Sequence, residues 1–238
     1  MKNIKLALLT GAIAFSAITA TAQTAADIVK KHNEAVGGTQ NWSKITSIKK
    51  EGTMTVMGMD MPCTFTILKG KGMRQDFTVM GTANYVIMTP TGGWMYIPAQ
   101  GSTEPQPMPE EQLKDVADQL DFQDKLMDAS NKKYQVTLVG KESIDGQECY
   151  KLKVTDAAKK ERTYFIDSKT YYTVRTEETA NVQGQDMDVT VSYSDYKKLP
   201  EGIVVAMKED GGDTGTMTYK TIEANTIKDE SIFQKPAK

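Results

Sequence analysis

The hydrophobic pattern of the chain changes period twice. Between Ala25 and Val36, the residues Ile28, Val29, His32, Ala35 and Val36 recur at helical spacing, and Gly37-Gly38 follows with the left-handed freedom a helix C-terminus uses. This predicts one amphipathic helix, then a short turn around Trp42 and Ile45. From Ile48 the period drops to two. Ile48, Lys50, Gly52, Met54 and Val56 share one face of a first strand, and Met59, Met61, Cys63, Phe65 and Ile67 one face of a second, with a hairpin placed at Gly58-Met59-Asp60. Met73, Gln75, Phe77 and Val79 alternate in a third strand. Ala83 to Thr89 and Trp94 to Pro98 form two more, separated by Pro90-Thr91-Gly92-Gly93. Turn residues between alternating runs predict an antiparallel meander.

The strand pattern then breaks. Residues 101–109 contain Pro105, Pro107 and Pro109 and read as an exposed loop. A helix is predicted from Pro109 or Glu110 to about Ala129, with Leu113, Val116, Ala117, Leu120 and Leu126 as its apolar stripe and Glu110 and Glu111 suiting its N-terminus. Strands resume over 134–140, 147–155, 161–167, 171–178, 187–197, 202–209 and 215–224, with hairpin signals at Asp145-Gly146 and Gly211-Gly212-Asp213. The tail from Ser231 reads as an apolar hook at Phe233 before Pro236. Five strands, a helical insertion and about seven strands make a large antiparallel sheet. Such a sheet must curl to bury its apolar face, closing into a barrel or leaving a concave face for something else to cover.

The first residues set the expected compartment. Lys2 and Lys5 precede an apolar run from Leu6 to Ile18, and Ala20-Thr21-Ala22 supplies a small-x-small cleavage pattern. Residues 1–22 therefore read as a signal peptide, cleaved before Gln23, and 23–238 as a single domain in the periplasm. The apolar run is too short for a bilayer, which takes roughly 20 residues. No Cys stands at the cleavage point, so no lipid anchor is expected there. Charge is nearly balanced, with 29 basic and 31 acidic residues and no basic block, which argues against nucleic acid as a partner. Cys63 and Cys149 read as free buried thiols, although the expected compartment permits a disulfide.

Catalytic chemistry is thinly represented. His32 is the single histidine and reads as a half-exposed packing residue, which removes most Ser-His-Asp and Cys-His schemes. One histidine and two distant cysteines do not suggest a zinc site. No phosphate-cradling loop or dinucleotide motif is present. Glu177-Glu178, Asp186 and Asp188 read as solvated charge in turns and on polar strand faces. The chain is read as a non-enzyme without metal or cofactor. Methionine is the unusual feature: eight of the 14 (Met54, Met57, Met59, Met61, Met73, Met80, Met88 and Met95) fall in the first strand block. Such side chains fill ordinary cores and also line surfaces that accept varied apolar ligands. The strands holding Tyr85 to Met88 and Trp94 to Ile97 carry apolar groups on both faces, so one face could meet a helix and the other a cavity. The insertion helix is the expected cover. Arg74 and Gln75 are candidate rim groups, with a solvated strand position the plainer reading of Arg74.

The sequence resembles the outer-membrane lipoprotein carrier superfamily, the LolA/LolB-like and lipoprotein-sorting proteins of Gram-negative envelopes. The similar features are the helix ending Ala35-Val36-Gly37-Gly38, the stretch from Ile67 to Arg74, Gly92-Gly93-Trp94-Met95-Tyr96-Ile97-Pro98 and the Pro-rich loop with its helix. They continue with Asp145-Gly146 before Tyr150-Lys151-Leu152, then Tyr164-Phe165-Ile166-Asp167, and Phe233 before Pro236. The resemblance implies a half-open antiparallel β-barrel with a helical lid that holds acyl chains of lipoproteins or lipids. Met54, Phe65, Met73, Phe77, Tyr85, Trp94 and Tyr96 become acyl-cavity candidates, and Leu113, Val116 and Leu120 lid candidates. The expected state is a monomer, with a delivery protein of the outer or inner membrane as a further partner. The chain departs from the family where known carriers have an Arg-Pro pair that holds the lid: here Lys69-Gly70-Lys71 follows the strand. The competing expectation is a non-enzymatic envelope interaction protein whose barrel is filled by its own side chains.

Overall fold

The computed structural model describes residues 23–235, apart from 114–115, 124, 129–133 and 183–184. The signal-peptide reading lies outside the described residues. Thr24 starts the first helix, α1 (Ala25–Ala35), with a reciprocal cap: its hydroxyl accepts from the Asp27 amide, and the Asp27 carboxylate accepts from the Thr24 amide at 3.1 Å. A four-residue helix, α2 (Thr39–Trp42), follows.

Thirteen strands among the described residues form one antiparallel sheet. Strands β1 (Ser47–Val56), β2 (Met59–Leu68), β3 (Gly72–Val79), β4 (Thr82–Thr89), β5 (Gly92–Tyr96) and β6 (Gln106–Pro107) run outward from the middle in one direction. On the other side of β1 lies the last strand, β13 (Thr216–Ala224). Beyond it, in descending order, come β12 (Val204–Asp210), β11 (Gln185–Lys198), β10 (Thr173–Val182), β9 (Glu161–Asp167), β8 (Gln147–Thr155) and β7 (Gln135–Ile144). The sheet is not closed: β6 and β7 are its two edges. The chain crosses from one to the other through the helical insertion. The two-residue β6, unforeseen in the sequence, ends in Pro107, which has no amide proton to extend the ladder.

The insertion is not one helix over 110–129. Among the described residues it consists of α3 (Glu110–Leu113), α4 (Val116–Gln119) and α5 (Lys125–Asp128). Between the last two, the Asp121 carboxylate accepts from the Gln123 amide at 3.2 Å, a local bond that competes with helix continuation. The first hairpin is also shifted from its expected place. Its tip is Met57-Gly58, both at positive φ (50° and 77°), and Met59 already belongs to β2. Met80-Gly81 repeats the arrangement (49° and 79°). Asp145-Gly146 forms a turn of the same kind, as its sequence predicts.

The core lies mainly on the concave face. Ile28 and Val29 of α1 and Leu126 of α5 pack on Tyr150, Leu152, Val154, Tyr164 and Ile166 of β8 and β9. Val36, Trp42, Ile45 and Met127 pack on Ile48, Tyr219, Ile222 and Ala224 near the middle of the sheet. Val116 and Leu120 cover Met88, with Met73, Val86, Met108 and Leu113 around them. On the outer face, Phe233 of the C-terminal hook sits against Gly72, where any side chain would collide with its ring. The Ile232 carbonyl accepts from the Arg74 guanidinium at 3.2 Å. Arg74 is therefore neither a solvated strand residue nor a rim group: it donates to both carboxylate oxygens of Asp76 (2.7 and 2.8 Å) and clasps the hook.

A half-open cavity under the crossing segment

Residues directly opposite in paired strands share a face, and this divides the acyl-cavity candidates. Phe65 pairs with Lys50 and with Gln75, Phe77 with Cys63, Met73 with Ile67 and Met88, and Met54 with Met61 and Met217. Met54, Phe65, Met73 and Phe77 thus occupy the concave face. Tyr85 pairs with Asp76 and Tyr96, and Trp94 with Ile87, on the same face as Arg74. The Arg74 guanidinium lies 5.1 Å from the Tyr85 ring centre, and the Tyr85 and Tyr96 ring centres lie 5.5 Å apart, their planes tilted by 35°. Tyr85, Trp94 and Tyr96 therefore stand on the outer face. A strand apolar on both sides gives no sign of which side is concave.

The lid candidates reach the concave face but leave no space there. Leu113, Val116 and Leu120 pack directly on Met73, Val86 and Met88, so the space above these three methionine and valine side chains is filled. The void lies elsewhere. A half-open cavity of about 970 Å³ is bounded by the concave face from β8 round to β1, by α1 and by Gln119, Asp121, Phe122, Gln123, Lys125 and Met127. Its apolar floor comes from Val36, Trp42, Ile48, Val204 and Met127. Asp156, Lys159 and Lys160, in the turn between β8 and β9, and Glu161, at the start of β9, stand at the opposite end of the strands. His32 belongs to the same wall. It is 1% exposed, not half-exposed, and its Nδ1 lies 2.8 Å from the Tyr171 carbonyl oxygen, because it falls on the sheet-facing side of α1 with Ile28 and Val29.

Charge was not anticipated inside. Lys50 faces the cavity, with its Nζ 2.9 Å from a Glu209 carboxylate oxygen and 4.8 Å from the Tyr219 ring centre. Burial works against its charge, but Glu209 and Tyr219 outweigh it and push the lysine above its ordinary range. Across the cavity Arg162 binds Glu178 through two nitrogens, with Nε at 2.7 Å. Burial again opposes the charge, and Tyr164 and Glu178 raise the guanidinium further. Between the pairs, the Tyr193 and Thr176 hydroxyls lie 3.2 Å apart. Glu178 is thus not solvated surface charge. One clue was available in the sequence: Lys50 stands in phase with Ile48 and Met54, a charge on an otherwise apolar face.

Lys69 anchors the crossing segment from outside. Its Nζ lies 3.1 Å from Asp121, and the Gly70 amide donates to the Leu120 carbonyl at 3.3 Å. The Lys69-Gly70-Lys71 departure therefore still makes a contact with the insertion. Cys63 and Cys149 are free, buried thiols on opposite faces and in opposite halves of the sheet. Burial raises the pKa of each. Among the described residues, no group of three or more His, Cys, Asp or Glu is placed to hold a metal ion. No described helix is long and apolar enough to cross a membrane.

An open antiparallel sheet with helices across its concave face defines the LolA-like fold, and solved structures agree. A domain from Vibrio parahaemolyticus described as an outer membrane lipoprotein-sorting protein is similar at 15% identity and a TM-score of 0.54, covering 88% of this chain and 95% of its own. A LolA superfamily protein from Nitrosomonas europaea is similar at 14% identity and 0.51, covering 90% and 99%. A DUF1329 family protein from Desulfovibrio piger is similar at 12% and 0.51, covering 90% and 98%. Within this fold, a family model described as "uncharacterized protein"-like matches residues 79–237, and the chain belongs to that family. A search of curated proteins gives no match.

Proposed function

We propose that the protein is a non-enzymatic periplasmic carrier or binding protein that holds an acyl chain of a lipid or lipoprotein, exported by the leader at 1–22 as a single-domain monomer. The observation that carries this reading is the half-open cavity of about 970 Å³ between the concave face and the helices. That size lies at the upper end of the roughly 300–1,000 Å³ of small-molecule sites. Each buried methylene contributes about 0.8 kcal/mol, so one long chain gains on the order of 10 kcal/mol before entropy is subtracted. The floor of Val36, Trp42, Ile48, Val204 and Met127 receives the chain. Met54, Phe65 and Phe77, half-buried on the same concave face, extend the surface toward the first strand block. Val116 and Leu120 act as fixed cover. A membrane-associated delivery protein is the natural exchange partner, and cargo transfer needs no covalent step by the carrier.

The test is titration of delipidated protein with a fluorescent fatty-acid probe, together with native mass spectrometry of the protein as purified. One probe per chain is expected, weakened by Val205→Trp, which fills the cavity, and unchanged by Trp94→Ala on the outer face. A protein that neither copurifies with lipid nor binds the probe is a filled-interior interaction protein instead.

A further inference from the structure

We infer that the ligand is a zwitterionic single-chain amphiphile whose head group is held inside the cavity, at a belt of paired charges. This deepens the carrier reading and rests on it.

The belt crosses the concave face between the apolar floor and the β8–β9 turn. Lys50 with Glu209 forms one end, and Arg162 with Glu178 the other, with Tyr193 and Thr176 between them. All six line the cavity. The two ion pairs are shielded but still reachable, with side-chain exposures of 23% and 29% for Lys50 and Glu209, and 29% and 31% for Arg162 and Glu178. A site for hydrocarbon alone gains nothing from such groups. Desolvating an ion pair costs more than its attraction returns unless other polar contacts compensate, and apolar side chains of similar volume serve as well or better. A bare chain laid across the belt would impose that cost twice. A ligand with polar groups at that height would not.

The sign of the head group follows from the balance. Five described lining residues are lysine or arginine and five are aspartate or glutamate. Each belt cation has its own carboxylate. A net anion must lie against Glu209 or Glu178, and a net cation against Lys50 or Arg162, in a partly desolvated site where like charges repel strongly. A zwitterion meets both: its phosphate takes Lys50 or Arg162, and its ammonium takes the paired glutamate. The cavity volume accommodates one chain with its head group rather than several chains.

The experiment is displacement of the fluorescent fatty-acid probe from the full mature chain by palmitoyl lysophosphatidylethanolamine, palmitate and palmitoyl glycerol, which share one tail. The zwitterion is expected to bind at least about tenfold tighter than palmitate. Glu209→Gln or Glu178→Gln, each freeing one cation, should shift the preference toward palmitate. Palmitate binding as tightly as the zwitterion to the unmodified protein overturns the inference and leaves the carrier reading standing. That ranking needs no variant, so a variant that fails to fold does not decide the outcome. A preference unmoved in folded variants likewise overturns it. Failure of the probe and all three amphiphiles to bind overturns both readings.

Discussion

Replacing Gly37 by alanine should destabilise the protein far more than the same change at Gly38, and the difference has a computable origin. Both glycines sit at positive φ, 106° and 83°, where a side chain costs about 1–3 kcal/mol in backbone strain. A Cβ on Gly38 meets nothing within 4 Å, so strain is its whole cost. A Cβ on Gly37 runs into the Gly202 carbonyl oxygen and approaches the Ile203 Cα to 2.7 Å. Both are backbone atoms that cannot rotate away, and overpacking of that kind adds about 1–3 kcal/mol. The expected losses are therefore about 1–3 kcal/mol at Gly38 and about 2–6 kcal/mol at Gly37. This contact is also where α1 is fixed to the sheet. The Val36 carbonyl accepts from the Val204 amide at 2.9 Å and from the Trp42 indole at 2.8 Å, and all three residues form the cavity floor. Urea unfolding of the two variants measures the difference through the midpoint at constant slope. Fatty-acid probe titration of the still-folded Gly37→Ala protein should show weakened binding, while Gly38→Ala binds normally. If Gly37→Ala proves no more destabilising than Gly38→Ala, the close docking of α1 on the start of β12 is wrong, and the floor of the cavity with it.

Two further outcomes follow from named contacts. Leu120, 1% exposed beneath the insertion, should cost about 2–5 kcal/mol when changed to alanine, measured by the same unfolding assay; a loss below about 1 kcal/mol would mean that α3 and α4 are not docked on Met73 and Met88. Asp167 is buried, which raises its pKa, but hydrogen bonds from the Thr170 amide and hydroxyl and from the Lys169 amide outweigh burial and hold the carboxyl below its usual value. Its stabilisation is therefore complete above the unfolded carboxylate pKa of about 3.9 and disappears as pH falls through the lower folded value. Asp167→Asn should lose about 1–2 kcal/mol at neutral pH and progressively less below about pH 4, and a gap that stays constant down to pH 2 contradicts the assignment.

Alternation and turn chemistry carried much of the fold in advance. Asp145-Gly146, the strands from β7 onward and α1 with its glycine terminus lie within a few residues of their expected places, because each rests on a local preference that agrees with the tertiary structure. Two local preferences misled. Met57 and Met80 occupy left-handed turn positions where Asn or Asp is the usual occupant, so the sequence points to Gly58-Met59-Asp60 for the first hairpin while its tip starts one residue earlier, at Met57-Gly58. The apolar stripe of Leu113, Val116, Leu120 and Leu126 suggests one continuous helix, yet Leu126 packs with Ile28 on the far half of the sheet, while Val116 and Leu120 stay on the near half. The stripe is real, but it serves two separate surfaces. The site was less legible for a related reason. Periodicity says that Tyr85, Trp94 and Tyr96 share a face, and nothing in it says that the face is outward. Arg162 and Glu178 face each other across consecutive strands, but Lys50 and Glu209 come from strands distant in sequence, and only the strand order brings the two pairs around one space.

The broken helix and the charged interior are one fact seen from two sides. An antiparallel sheet of thirteen described strands that does not close has a large inner face to cover, and exposed apolar area of that extent invites aggregation. α3 and α4 settle on the Met-rich half, and α1 and α5 on the half built from β8 and β9. Between Leu120 and Lys125 there is no described helix, only a crossing held by Lys69 at Asp121 and by the Gly70 amide. The cavity lies behind that crossing, and its ion pairs stay partly exposed, at 23% and 29% for Lys50 and Glu209 and 29% and 31% for Arg162 and Glu178. There they keep part of their hydration and cost far less than they would under a continuous helix. An all-apolar belt in the same place would be a wet hydrophobic surface whenever the cavity was empty. The paired charges therefore suit the empty state, and the same pairs set the requirement on any guest: whatever displaces that water must replace its hydrogen bonds, which a hydrocarbon tail does not do and a polar head group does.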